Sequence, residues 1–449
     1  TLTYRAKPQK TDNMSKQFSP YLNPAVETMP RAQLERFQEQ KLLRVLDYAL
    51  EHSPLIKARW QAAGVGRGDI RSLEDFRNRA PFIDKDDIRS FRDAHDHPLG
   101  GLAELDNPNV NRVETTSGTT GDPTPFPIRA RSSVEEGYAR DYWEMGIRPG
   151  EYAIVSSFTF RIGITLSSLS ELGIIPIPFA HTPLQIPRMV EAIQHFRPTA
   201  FTLMSTPMIL WFERFFEQSG LDPKAVFASV RGAIAGGEAL SPRLRAVADS
   251  WDLELFETAS FGDVMSGTEC RAHAGLHGYE DMAMAECLDP ENDQPVADGE
   301  LGELVVTTLR NPEMPLIRYR TDDLVEIDRS QCSCGRTHFR YRVRGRKGDR
   351  LLVQGKAILP LDVRFSIEEE RETRSGLFQI IKEAPEMDIL RLRVGYDNSV
   401  LQRPLASLAG KLEEALKAVT GVPVAIEMID EAELLKLGPP HKIPRVTKS

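Results

Sequence analysis

Residues 151–204 read EYAIVSSFTFRIGITLSSLSELGIIPIPFAHTPLQIPRMVEAIQHFRPTAFTLM. Short apolar runs at Tyr152–Val155, Ile174–Phe179 and Ala200–Met204 alternate with longer stretches of helical spacing such as Pro187–His195. The alternation continues through the run Val230–Ile234 and the helical stretch Pro242–Ser250 as far as Phe261. Continuous apolar runs suit strands buried on both faces, and intervening helices carry the chain back over the sheet. An α/β fold is therefore expected, with mainly parallel sheets covered by helices.

Downstream of this core, Gly302–Leu309 and Asp323–Ile327 read as strands of an antiparallel layer. Upstream, Thr28–His52 reads as one amphipathic packing helix, with Leu34, Phe37, Val45, Leu46, Ala49 and Leu50 mostly on one face. The charge- and glycine-dense segment RVRGRKGDR, 342–350, ends the pattern. Beyond it Leu377–Ile381, Ile389–Val394 and Val424–Ile429 read as strands and Leu405–Val419 as an amphipathic helix. The expected organisation is a flexible arm at 1–20, a large multi-sheet domain at 21–345 and a small α+β domain at 346–449.

Hydrophobic residues make up 41% of the 449-residue chain, enough for sizeable cores. A net charge of −9 argues against a nucleic-acid partner, which selects basic surfaces. Thr1 to Ser19 is polar without an apolar signal core, and no apolar run reaches bilayer length, so a cytoplasmic location without membrane association is expected. Four cysteines are too few for a disulfide scaffold.

Residues 115–127 read TTSGTTGDPTPFP. Its centre, Thr116, Ser117, Gly118, Thr119, Thr120 and Gly121, crowds hydroxyls and glycines together. Glycines let backbone N–H groups converge on an anion, and the hydroxyls add donors without bulk. The kinase-type phosphate loop G-x-x-x-x-G-K-[ST] is absent. A bland surface turn would have the same composition, but six such residues in this order point to a phosphate grip. Residues 235–241 (AGGEALS) follow an apolar run and precede a helix, where Gly236 and Gly237 would let a flat base approach the backbone. The bland alternative is a tight strand-to-helix turn.

Cys332 and Cys334 form a C-x-C knuckle, and Cys270 lies upstream, followed by His273 and His277. Three thiolates and one imidazole would make a closed tetrahedral zinc site. Unrelated reduced thiols are the alternative. Cys287 has no sequence partner and reads as a strand residue.

The TSGTTG loop with its following proline, the stretch AVETMPRAQLERFQEQKLLRVLDYA (25–49) and GDIRSLEDFRNRAPFIDKDDIR (68–89) together resemble the adenylate-forming acyl-CoA ligases, in particular their phenylacetate–CoA ligase branch. The resemblance runs from about Ala25 to the C-terminus. It implies a two-step reaction: ATP activates a carboxylic acid as acyl-AMP, and coenzyme A then takes the acyl group. Thr116 to Gly121 would hold phosphates; Gly236, Gly237 and Glu238 would border adenine. Ser260, Phe261 and Gly262 are similar to the family's Tyr-Gly segment, whose ring stacks on the base. Relatives continue with a Thr at the α-phosphate and a Glu on Mg2+. This chain has Asp263-Val264-Met265-Ser266-Gly267, leaving Asp263 or Ser266 as substitutes.

Tyr319 to Leu324 resembles YRTGDL, which assigns Asp323 to the ribose hydroxyls and puts Asp322 where glycine is usual. Gly345 to Arg350 resembles the hinge about which the small domain turns, with Gly348 as a suitable pivot and Arg346 set to bond ribose or phosphate. Gly355 resembles the glycine beside the pantetheine arm of CoA. Lys442-Ile443-Pro444-Arg445-Val446 matches the K-x-x-R-V pattern of the catalytic lysine; Lys448 is its rival, and a solvated terminal lysine is the alternative.

Family members with zinc at matching positions favour Cys270, His277, Cys332 and Cys334 as ligands of a structural Zn2+, with His273 in reserve. Phe158, Phe160, Arg161 and Gly163 resemble the lining of the acyl pocket, where aromatic side chains suit a flat ring. Arg161 could reach a second carboxylate or remain at the surface. The expected partners are a small aryl carboxylic acid, ATP and CoA, with a homodimer allowed. Two alternatives stay open: an amine or carrier protein as acceptor, and a degenerate nucleotide-binding homologue, which the altered segment 263–267 and Asp122 would suit.

Overall fold

The computed structural model describes residues 19–115, 122, 124–129, 133–157, 162–261, 265–437 and 443–448. Among them an 11-stranded sheet forms the frame of the large unit. One half is parallel, in the order Ile175–Ala180, Tyr152–Ser157, Ala200–Phe201, Gly232–Ala235 and Leu255–Phe261. The other half is antiparallel: Met265–Glu269, Leu276–Gly278, Arg340–Arg346, Tyr319–Asp328, Leu301–Thr308 and Ala283–Leu288. The strand Leu255–Phe261 belongs to both halves, pairing parallel on one side and antiparallel on the other. The expected parallel and antiparallel layers are thus continuous.

Local chemistry sets the helix starts. Ser205 and Ser241 accept from Met208 N–H (3.3 Å) and Leu244 N–H (3.2 Å), with proline in the first turn of each helix, Thr206–Ser219 and Pro242–Ser250. The expected strand Ala200–Met204 ends at Phe201. The backbone then bends so that Met204 N–H reaches the Ile234 carbonyl at 2.6 Å and Ser205 caps the next helix. The N-terminal helix begins at Arg31 rather than Thr28, because Pro30 is extended (ψ 139°) and disfavours helical backbone in the residue before it. Its inner face buries Leu34, Leu42, Val45, Leu46 and Ala49.

Separate apolar clusters sit on the two halves of the sheet. One joins Leu46, Trp60, Phe76, Phe126, Phe339 and Tyr341. The other joins Phe201, Phe212, Phe216, Phe227 and Trp251. The C-terminal part has its own core, in which Leu408, Leu412 and Leu416 of the helix Leu405–Thr420 pack on Phe378, Ile380 and Leu392. A four-stranded sheet in it runs in the order Val424–Asp430, Leu390–Tyr396, Phe378–Lys382 and Val446–Lys448. The segment joining the two parts passes through a single helical turn, Lys347–Asp349. Among the described residues no helix is long and apolar enough to cross a membrane.

Candidate active site

Parallel sheets place ligand-binding groups at the C-terminal ends of their strands. Gly236, Gly237 and Glu238 leave the strand Gly232–Ala235 at such an end and lie beside the neighbouring strand that carries Ser260. A Cβ at Gly236 would meet the Thr258 side chain at 2.9 Å, and Gly237 has φ +98°, so neither position accepts a larger residue without strain. Leu240 N–H donates to Glu257 at 3.2 Å, which fixes the turn from below. Burial pushes the Glu257 carboxyl up to about 7.

Glu238 turns toward the small unit. Arg445 donates to both of its oxygens, at 2.8 and 3.0 Å, and Arg364 stands 3.6 Å away. Arg364 also donates to the Ala239 carbonyl at 2.9 Å. The terminal segment Ile443–Lys448 is thereby tied to Glu238, the residue after the glycine pair.

Asp323 and Arg346 occupy paired positions on adjacent antiparallel strands, with 3.6 Å between charged atoms. Asp322, at the position where glycine was expected, has φ +65°. An aspartate tolerates this left-handed backbone better than most residues, and its carboxylate pairs with Lys85. Gly355 (φ +75°) follows Gln354 (φ +48°) in the hairpin between Leu351–Val353 and Lys356–Ile358, facing open space. Two successive positive φ values account for a glycine there without any ligand. Gly163 lies exposed in the first turn of the helix Ile162–Glu171. Thr116 to Gly121, Phe158, Phe160, Arg161, Gly262 and Lys442 lie outside the described residues, as do Asp263 and Val264; Phe261 is described in its backbone alone.

His181 was not singled out in the sequence. It follows the strand Ile175–Ala180, and its two ring nitrogens lie 2.9 Å from the hydroxyls of Ser156 and Ser205. All three stand at the C-terminal edge of the parallel sheet; that location after an apolar run was the available signal.

The sulfurs of Cys270, Cys332 and Cys334 and a ring nitrogen of His277 lie within 4.8 Å of one another. Cys270 and Cys332 are 3.7 Å apart, and Cys334 is 3.3 Å from His277 Nε2. His277 Nδ1 lies 3.2 Å from the His338 carbonyl, the support a metal-bound imidazole uses to fix its orientation. The donor set therefore fits one soft divalent cation with no ligand position left for water. His273 points elsewhere, toward Glu269 (3.0 Å) and Glu254 (3.3 Å). Cys287 sits in the strand Ala283–Leu288, away from the cluster.

The knuckle also gathers the N-terminal segment. Arg336 pairs with Glu27 at 2.9 Å and Glu144 at 2.6 Å, and Tyr21 donates to the Cys334 carbonyl at 2.7 Å. Thr337 donates to the Met29 carbonyl at 2.6 Å.

No protein-family model matches the chain. It is 32% identical over 352 residues to a phenylacetate–coenzyme A ligase of Thermus thermophilus, covering 76% of each chain. The fold matches a 2-hydroxyisobutyryl-CoA ligase in its postadenylation state with TM-score 0.83 and 26% identity, over 98% of this chain and 94% of that one. Against the same ligase in its thioesterification state the TM-score is 0.67, at 27% identity and with 96% and 93% covered. Over the whole chain the structure is thus more similar to the postadenylation state of that ligase. The chain belongs to the adenylate-forming CoA ligases, on their phenylacetate–CoA ligase branch, and is an acyl-CoA ligase that works through acyl-AMP.

Proposed function

We propose that the acid is aromatic and that the reaction runs as two half-reactions on one nucleotide site. A carboxylate oxygen attacks the α-phosphorus of ATP, and the bond to pyrophosphate breaks. The CoA sulfur, having lost its proton, then attacks the acyl carbon, and AMP leaves. Thr116 to Gly121 grip the phosphates, Gly236 and Gly237 border adenine, and Asp323 accepts from the ribose hydroxyls. Lys442 stabilises the negative charge that builds during adenylation, when the small unit is closed.

The observation that carries this reading is the contact of Arg445 with Glu238. It ties a residue three positions past Lys442 to Glu238, which follows the glycine pair in the sequence. The aromatic choice draws on the phenylalanines 158 and 160 and on the relative named for phenylacetate. The 2-hydroxyisobutyryl-CoA ligase supports a second reading, a short hydroxy acid, for which the polar group of His181, Ser156 and Ser205 would be the natural lining. The domain division at 345/346 and a structural Zn2+ on Cys270, His277, Cys332 and Cys334 are part of the same proposal.

The test is a panel of aryl, alicyclic and short hydroxy acids, assayed for pyrophosphate release from ATP with and without CoA. Aryl acids should give the highest kcat/KM, and mass spectrometry should identify an acyl-CoA product. A preference for hydroxy acids would replace the aryl reading. An amide or acylated carrier formed in place of acyl-CoA would change the acceptor. No acid-dependent pyrophosphate release at all would mean a non-catalytic homologue.

A further inference from the structure

We propose that Arg445 is a positioning residue for acyl-AMP formation, and that its pairing with Glu238 is the contact that seats the terminal segment on the nucleotide motif. The inference rests on the adenylation reading above and deepens it. The K-x-x-R-V pattern singled out a lysine; the structure gives the arginine of that pattern its own task.

Arg445 bonds in two directions. Toward its own unit, one nitrogen donates to the Gly376 carbonyl at 2.7 Å, and the guanidinium lies over the Phe378 ring at 4.6 Å. Toward the large unit, it makes a forked contact to Glu238, with Nε donating to Oε1 at 3.2 Å and Nη2 to Oε1 and Oε2 at 2.8 and 3.0 Å. The side chains are 12% and 19% exposed. A forked, partly buried arginine–carboxylate pair is stronger and more directional than a surface ion pair. It is also specific for arginine, because a lysine offers one point of charge and no planar fork.

Glu238 sits where such a contact controls the motif. It follows Gly237, whose φ of +98° leaves the backbone free to take other paths. It precedes Ala239, whose carbonyl is held by Arg364. Two arginines of the small unit therefore hold successive residues of the turn expected to border adenine. Other seam contacts, Arg374 to Glu217 (2.8 Å) and Arg214 to Asp397 (2.9 Å) and Glu431 (2.7 Å), set the orientation of the units without touching this turn.

Arg445 follows the proposed catalytic Lys442 by three positions in the sequence. When the small unit turns for the second half-reaction, the Arg445–Glu238 contact is expected to break. Its loss should therefore slow the first half-reaction selectively.

The experiment uses the full chain with phenylacetate as probe. Pyrophosphate release reports the first half-reaction, and CoA-dependent consumption of presynthesised phenylacetyl-AMP reports the second. Arg445→Ala should lower kcat of the first by roughly tenfold or more, with KM for phenylacetate and the second half-reaction within about twofold, and Glu238→Gln should lower kcat of the first by a similar factor. Arg445→Lys should fall between wild type and Arg445→Ala. The double charge reversal Arg445→Glu/Glu238→Arg should recover activity over either single reversal. Equal losses in both half-reactions, an unchanged first half-reaction, or no recovery in the double variant would overturn the proposal. If Arg445→Ala does not fold, Arg445→Lys and Glu238→Gln carry the test. If wild type releases no pyrophosphate with phenylacetate, the functional reading is at fault for that acid, and hydrogen exchange decides the contact. Glu238→Gln should speed exchange of amides 235–241 and 443–448 together; no change in either segment would overturn the docking pair.

Discussion

The His277 imidazole presents Nε2 to the Cys334 sulfur at 3.3 Å while the His338 carbonyl holds its other nitrogen at 3.2 Å. The ring is fixed from behind before any ion arrives, which is how a closed metal site keeps its geometry. A metal that bound the folded chain alone would add its affinity to the folding free energy.

Cys332→Ser should therefore abolish stoichiometric zinc, measured by elemental analysis of the purified protein, and lower the melting temperature by several degrees. The same variant should expose residues 19–30 to proteases, because Arg336 and Thr337 of the knuckle hold Glu27 and Met29. Zinc retained at one ion per chain, or an unchanged cleavage pattern, would contradict this arrangement. The second outcome would uncouple the knuckle from the N-terminal segment.

Asp141 gives a pH dependence with a definite sign. Its carboxyl is fully buried and accepts from the Tyr279 hydroxyl at 2.5 Å, and burial pushes it up to about 7. In the unfolded chain it titrates near 4. The folded form holds the proton more tightly, so this contribution to stability is complete below about pH 4 and is lost as pH rises through 7. Asp141→Asn keeps a neutral side chain at every pH. Its stability relative to wild type should increase between about pH 5 and pH 8, by on the order of 1–3 kcal/mol. Denaturant melts at the two pH values check it. A difference that stays flat or shrinks with pH would assign the destabilisation to another group.

Asp323 tests the ribose assignment. Its carboxylate faces Arg346 across paired strands at 3.6 Å, close enough for attraction but long for a hydrogen bond. Asp323→Asn should raise KM for ATP by roughly tenfold or more, the worth of a charged hydrogen bond, with melting temperature almost unchanged. Steady-state kinetics with ATP varied would show it. A fall in stability with unaltered KM would make the residue a strand-end ion-pair partner only.

Local patterns carried part of this account and could not carry the rest. Alternating apolar runs exposed the parallel half of the sheet, because those strands are buried on both faces and leave long apolar signatures. Cys270, His277, Cys332 and Cys334 were legible because thiols are rare and their chemistry is narrow. Arg364, Arg374 and Arg214 were not, since each meets its partner from 125 or more positions away along the chain. A surface arginine and a seam arginine look alike until the two units are placed together. His181 was missed for a similar reason: Ser156 and Ser205 converge on it only once three parallel strands are laid side by side.

The competition between Lys442 and Lys448 for the catalytic role can be narrowed by backbone alone. Val446–Lys448 runs as a parallel edge strand with Lys448 opposite Lys382, so its main chain is committed to the small sheet. Lys442 precedes Arg445, the residue in contact with Glu238, whereas Lys448 follows it further into that strand. With the main chain of Lys448 committed to that strand, Lys442 is the proposed catalytic residue. A charge that acts in the transition state and contributes little to substrate binding should affect kcat and leave KM almost unchanged. Lys442→Ala should thus slow acyl-AMP formation by about 100-fold or more while consumption of presynthesised acyl-AMP stays within about twofold. Lys448→Ala should leave both half-reactions near wild type. A large first-step loss in Lys448→Ala with none in Lys442→Ala would reverse the assignment and require the terminal strand to unpair before the acid is activated.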